Sequence, residues 1–191
     1  MRTAGLGAII LCLCGSPTIA AESAADAIKA FGLTGTWSID CARDPLAPCD
    51  KTGCGARTTY ELPPSGAPTI KNVIGTLSGG GVRNFETTIE QATRIADDKL
   101  SLTSVQQTSS GVQFAWWRQP GERWQIVLQK VGDKYRVYRA QREDGKKISA
   151  EDGFEVGPPP GTKFDEMPVR WIRSGNQTPL FAKCSGNVTA M

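Results

Sequence analysis

The sequence predicts an all-β fold: an antiparallel up-and-down barrel of about eight strands with a short N-terminal helix. Three observations carry that expectation. First, apolar and polar residues alternate at period two. Leu100 and Leu102 share a face, Phe114 and Trp116 share a face, and Trp124, Ile126 and Leu128 share a face with Gln125 and Gln129 opposite. Such alternation belongs to sheets with one buried side. Second, turn signals punctuate the runs: Ala96-Asp97-Asp98, Pro120-Gly121, Gly132-Asp133, Asp144-Gly145 and Asp152-Gly153. Asp-Gly between strand-like runs is a strong local hairpin signal, and Pro-Gly suits a type II turn. Third, the connections are short and local. That favours sequential hairpins over the longer crossings of a Greek-key sandwich.

The elements follow in order. Residues 23–31, SAADAIKAF, read as a short helix: Ser23 can cap it with Asp26 three positions on, and Ile28 and Phe31 share one face. Its expected role is to plug or cover one end of the fold. Strands are expected at 36–41, 57–62 (stopped by Pro63-Pro64) and 69–77 (closed by Gly79-Gly80-Gly81). A meander then runs through 85–95, 99–107, 112–119, 123–131, 134–142 and 146–150. Residues 157–168, GPPPGTKFDEMP, cannot sit in a central strand and read as a surface loop. A last strand or extended arm is expected at 168–174, before a tail that reaches Cys184.

Residues 1–21 read as a secretory signal peptide: Arg2 gives a positive start, 8–13 an apolar stretch, and 18–21 a small-residue cleavage region. Gly15-Ser16-Pro17-Thr18 interrupts too early for a spanning helix, so the mature chain is expected to lack a transmembrane segment. Cys12 and Cys14 follow leucines rather than the small residue of a lipobox, so a soluble periplasmic or extracellular protein is expected. Residues 22–34 form the N-terminal helix and arm, and 35–191 a single barrel domain.

Four cysteines remain after the signal segment: Cys41, Cys49, Cys54 and Cys184. The chain has no histidine, which removes the commonest metal ligand and general base. Spacings of seven, four and 129 intervening residues do not resemble the close cysteine pairs of structural zinc sites. Two disulfides are therefore expected in an oxidising compartment, with no metal and no cofactor. Four cysteines allow three connectivities. The preferred one pairs Cys41 with Cys184, tying the first strand to the chain end, and Cys49 with Cys54, clipping a turn.

Net charge is +3. It is too small and too evenly spread for a nucleic-acid footprint. There is no G-x-S-x-G, no P-loop and no histidine for a triad, and the acid pairs Asp97-Asp98 and Glu151-Asp152 sit in expected turns. A non-enzymatic protein is expected.

LTGTW at 33–37 resembles the G-x-W signature that opens the first strand of lipocalins, and a short helix before it fits that family. GDKYRVY at 132–138 resembles a loose form of the lipocalin second motif, with Lys134 separating Asp133 from Tyr135. Arg170 or Arg173 would supply the arginine that packs over the lipocalin tryptophan. Small bacterial metalloprotease inhibitors share the size, export and barrel pattern. The stretches 88–105 and 127–153 also resemble a group of uncharacterised bacterial exported proteins.

The resemblance implies a small, mostly apolar ligand in the barrel mouth. Trp37, Phe114, Trp116, Trp124, Tyr135 and an inward Arg139 are the candidate contacts. The alternative is a protein-binding or inhibitor role for the N-terminal arm, Trp117, Pro159 and Pro160. Trp117 enters because adjacent tryptophans in a strand point to opposite faces. A third reading is a structural envelope protein without a pocket. The cations Arg136, Arg139, Arg142, Lys146 and Lys147 read as a solvated edge.

Overall fold

The computed structural model describes residues 22–47, 55–75, 82–110, 120–143, 147–150, 153–154 and 178–185. They form one helix, α1 (Ala24–Phe31), and ten strands: β1 (Gly35–Ser38), β2 (Ala56–Glu61), β3 (Thr69–Gly75), β4 (Val82–Ala96), β5 (Lys99–Ser110), β6 (Arg123–Val131), β7 (Lys134–Arg142), β8 (Lys147–Ala150), β9 (Gly153–Phe154) and β10 (Ala182–Lys183). All belong to one antiparallel sheet in which β1 to β9 pair in chain order and β10 returns to β1. This is the expected up-and-down topology.

The sheet curls so that the chain end meets the start of β7. Residues 178–183 run between β7 and β1. Tyr135 and Phe181 exchange backbone hydrogen bonds of 3.0 and 2.7 Å, and the Thr178 hydroxyl donates to the Val137 carbonyl at 2.6 Å. On the other edge Trp37 pairs with Lys183, and the Cys184 amide donates to the Thr36 carbonyl at 2.9 Å. The disulfide Cys41–Cys184 fastens this seam, as expected. Cys49 and Cys54 lie outside the described residues.

The chain leaves β1 after Ser38, earlier than the strand expected at 36–41. Arg57 is the reason. Its side chain is buried, and its guanidinium donates to Ser38 Oγ and to the carbonyls of Asp40, Ala56, Cys41 and Arg43 at 2.6–3.0 Å. A fork of five donors suits a converging set of carbonyls, and it folds residues 38–43 into the loop that presents Cys41.

α1 begins and ends as the sequence predicts. The Asp26 amide donates to Ser23 Oγ, and Ser23 Oγ donates back to the Asp26 carboxylate. Gly32 takes the left-handed conformation, φ 80°, that closes a helix C-terminus. The helix packs on β4 and β5, burying Ala27, Ile28 and Phe31 in a core that includes Ile89, Ala92, Leu100, Leu102, Ile126 and Leu128. Residues 24–31 are thus part of the core and not a free arm.

β6 pairs with β5 on one side and β7 on the other. A further strand is expected at 112–119. Those residues, including Phe114, Trp116 and Trp117, lie outside the described set. Gly121 nonetheless has the positive φ, 86°, of the expected Pro-Gly turn. Arg139 is exposed on the outer side of the sheet, not inward. The cause is a bulge in β7: Val127 pairs with Arg139 but Leu128 pairs with Val137, leaving Tyr138 unpaired. One extra residue reverses the alternation, so the inward set runs Tyr135, Val137, Ala140.

Two consequences are measurable. Replacing Cys41 and Cys184 together by serine opens a link 143 residues long. It should cost about 3–5 kcal/mol in urea unfolding, with the helix signal retained at low denaturant. Ile28→Ala should cost about 2–4 kcal/mol, because it leaves a void between α1 and the sheet. A free arm would show no change.

Candidate functional site

The inner wall changes character along the barrel. Beside α1 it is apolar and aromatic. Trp37 lies against Tyr135 edge to face, ring centres 5.0 Å apart, and its indole N–H donates to the Leu33 carbonyl at 2.7 Å. Tyr135 stacks on Phe181 at 5.1 Å and meets Tyr60 at 6.0 Å. Towards the opposite end the wall turns polar. The Thr87 hydroxyl donates to Gln106 Oε1 at 3.1 Å, and the Gln106 amide donates to the carbonyls of Glu86 and Thr108. Ser104, fully buried between Ile89 and Trp124, has no hydrogen-bond partner for its hydroxyl among the described residues. The Trp124 indole donates to one oxygen of Glu122 at 3.3 Å and Arg142 donates to the other at 3.0 Å.

A pocket of about 250 Å³ opens to solvent at the helix end. Its lining takes in the buried side chains of Phe31, Leu33, Trp37 and Tyr135 and, at the exposed rim, Lys130, Lys134, Lys183 and Asp133. Local sequence explains how it forms. Gly35, at φ 108°, starts β1 and leaves room for the neighbouring strand; a Cβ there would sit 3.2 Å from Lys183 Cε. The glycine of G-x-W is therefore where the Lys183 stem crosses the chain. Lys183 Nζ stands 5.7 Å from the centre of the Trp37 ring, and Lys130 Nζ 4.7 Å from that of Phe31. Both ammonium groups thus stand over the faces of buried rings.

Burial drives the Tyr135 phenol well above its ordinary pKa, and the neighbouring Tyr60 adds to the shift through charge repulsion and a hydrogen bond. This hydroxyl stays protonated while the barrel is closed. An unfolded tyrosine ionises near 10.0. The stability Tyr135 contributes is therefore whole below that pH and declines above it, because only the unfolded chain gives up the proton.

Of the ligand contacts expected from sequence, Trp37 and Tyr135 meet in this pocket. Trp124 belongs to the same core but faces the polar end, and Arg139 lies outside. Phe114, Trp116, Trp117, Pro159 and Pro160 are outside the described residues, as are Arg170 and Arg173. The cation over the G-x-W tryptophan is Lys183. Lys130 was legible in the alternation, since it continues the parity of Ile126 and Leu128. Lys183 gave no such signal, because its partner strand is 146 positions away in sequence, at Trp37.

Elsewhere several charges are paired or tied. On the outer wall Arg123 bonds Glu90 at 2.9 and 3.1 Å and reaches Glu143 at 3.5 Å. Arg136 donates to Gln129, which donates to Asp98 and holds that carboxyl below its ordinary range. Among the described residues no three histidine, cysteine or acidic groups cluster to hold a metal. No helix there is long and apolar enough to cross a membrane, which leaves membrane crossing by strands unaddressed.

No family model, curated protein or solved structure matches this chain.

Alkaline unfolding checks the buried phenol. From pH 10 to 12 wild-type stability should fall by up to tenfold in the folding equilibrium per pH unit from this residue. Tyr135→Phe should show a shallower slope in the same urea titrations.

Proposed function

We propose that this chain is an exported, non-catalytic β-barrel binding protein, resembling the lipocalins, that holds a small ligand with an apolar body in the pocket beside α1. The observation that carries the reading is a concave site of about 250 Å³ whose lining includes Phe31, Trp37 and Tyr135. Ligand sites are typically concave and apolar with a few placed polar groups, and this volume suits a fragment-sized molecule. Export is supported by the charged-then-apolar N-terminus and by the Cys41–Cys184 disulfide, a bond that persists in oxidising compartments. Binding is favoured over catalysis because the chain has no histidine and no nucleophile motif. The lipocalin resemblance is supported by the up-and-down barrel and by the buried G-x-W tryptophan with a cation over its ring.

Titration with N-phenyl-1-naphthylamine, a neutral dye that brightens on leaving water, tests the reading. Saturable one-to-one binding is expected. Lys134→Trp, which sets a bulky side chain at the exposed rim, should weaken it at least tenfold without lowering the melting temperature. No saturable binding, or binding indifferent to this substitution, would remove the pocket from consideration and return weight to a protein partner.

A further inference from the structure

We infer that the barrel end formed by the β4–β5 and β6–β7 turns docks on an anionic lipid bilayer. Ile95 and Val131 enter the interface there, and Lys99, Lys130, Lys134 and Arg136 face the lipid head groups. This surface role does not depend on any ligand in the pocket.

Strand pairing places both turns at one end of the sheet. β5 starts at Lys99, β6 ends at Val131, and Lys99 lies opposite Gln129. The Lys130 amide donates to the Asp98 carbonyl at 2.7 Å, so the turns lie side by side. Each carries an exposed branched aliphatic residue, Ile95 at 53% and Val131 at 42%. Ile95 is the extra residue of the bulge between Arg94 and Ala96, which releases it from the alternation that buries Ala92 and Leu100. Val131 is the last residue of β6, opposite Lys134. Two strand spacings separate β4 from β6, so the two aliphatic tips stand about 10 Å apart across the sheet.

The charges of these turns are unbalanced. Residues 94–99 and 130–136 hold five cations and three acids. Arg94 pairs with Asp97, and Asp98 accepts from Gln129. Lys99, Lys130, Lys134 and Arg136 have no ion pair among the described residues, whereas Lys71, Arg123 and Arg142 elsewhere on the sheet all face acids. Two of the four are held in place on the outer wall. Gln129 accepts from the Arg136 guanidinium, and the Tyr138 ring takes Lys99 at 4.5 Å and Arg136 at 5.8 Å.

Aliphatic tips among unpaired cations suit a membrane face. Anionic head groups attract the cations over about one Debye length. The aliphatic side chains then leave water at the acyl boundary. A soluble acidic polymer would use the cations and offer no place for the tips.

Flotation of the full mature protein with vesicles tests the inference. One set is phosphatidylcholine alone, the other seven parts phosphatidylcholine to three of phosphatidylglycerol, each at 20 and 300 mM salt. Binding to the anionic set should be at least tenfold tighter and should weaken at high salt. K99Q/K130Q/K134Q should remove most of it, and K99R/K130R/K134R should keep it. I95N/V131N should weaken it at least fivefold at an unchanged melting temperature, because both side chains are exposed. If the glutamine triple variant melts early, Lys134→Gln alone reads the charge at an exposed turn position, with at least a twofold loss expected. Equal binding to the two sets, no binding to either, or no loss in Lys134→Gln would overturn the inference. Anionic binding that I95N/V131N leaves unchanged would mark the cations as a site for soluble polyanions, which also overturns it.

Discussion

Two backbone hydrogen bonds between Tyr135 and Phe181 tie the chain end to β7, and much of the molecule follows from that contact. Without it β10 would present an open edge, and Trp37, Tyr60 and Tyr135 would lie on one face of an open sheet. With it, residues 178–183 fill the gap between β1 and β7, Phe181 stacks on Tyr135, and Lys183 crosses over Trp37. The disulfide and the Arg57 loop act on the same seam from outside. Arg57 gathers the carbonyls that shape residues 38–43, the loop presents Cys41, and Cys41 holds Cys184 beside β1. The closure is thus a local pairing reinforced by one long-range covalent link.

The helix completes what the sheet begins. The end of β4 beyond its pairing with β3 would expose Ile89 and Ala92, and β5 would expose Leu100 and Leu102. α1 lies on them and turns away at Gly32. The turn sets Phe31 and Leu33 on either side of the pocket, so one segment serves both packing and site. An inhibitor mode that needs a mobile N-terminal arm would have to remove Ala27, Ile28 and Phe31 from the core. That cost weighs against such a mode and favours a site built into the barrel end.

The polar half of the barrel poses a different problem. Thr87 and Gln106 satisfy each other or nearby carbonyls, as buried polar groups must. Ser104 among them has no such partner within the described residues. The gradient from aromatic to polar gives the inner wall a direction, with the lysine rim at its apolar end.

Much of the architecture was legible in the chain, because period two and turn chemistry are local properties. The cap at Ser23, the turns at Gly121 and Gly132, and the inward faces of β5 and β6 follow from residues a few positions apart. The long disulfide was the preferred one among the three connectivities that four cysteines allow. Three features were decided only by the tertiary structure. The bulge at Tyr138 reversed the facing of Arg139, because a single unpaired residue shifts parity without altering composition. Arg57 looked like an ordinary strand residue until the loop after β1 folded over it. Lys183 reached Trp37 only because the chain end returned to the first strand. Alternation is written along the sequence, whereas closure, parity shifts and the meeting of distant side chains arise when strands choose their partners.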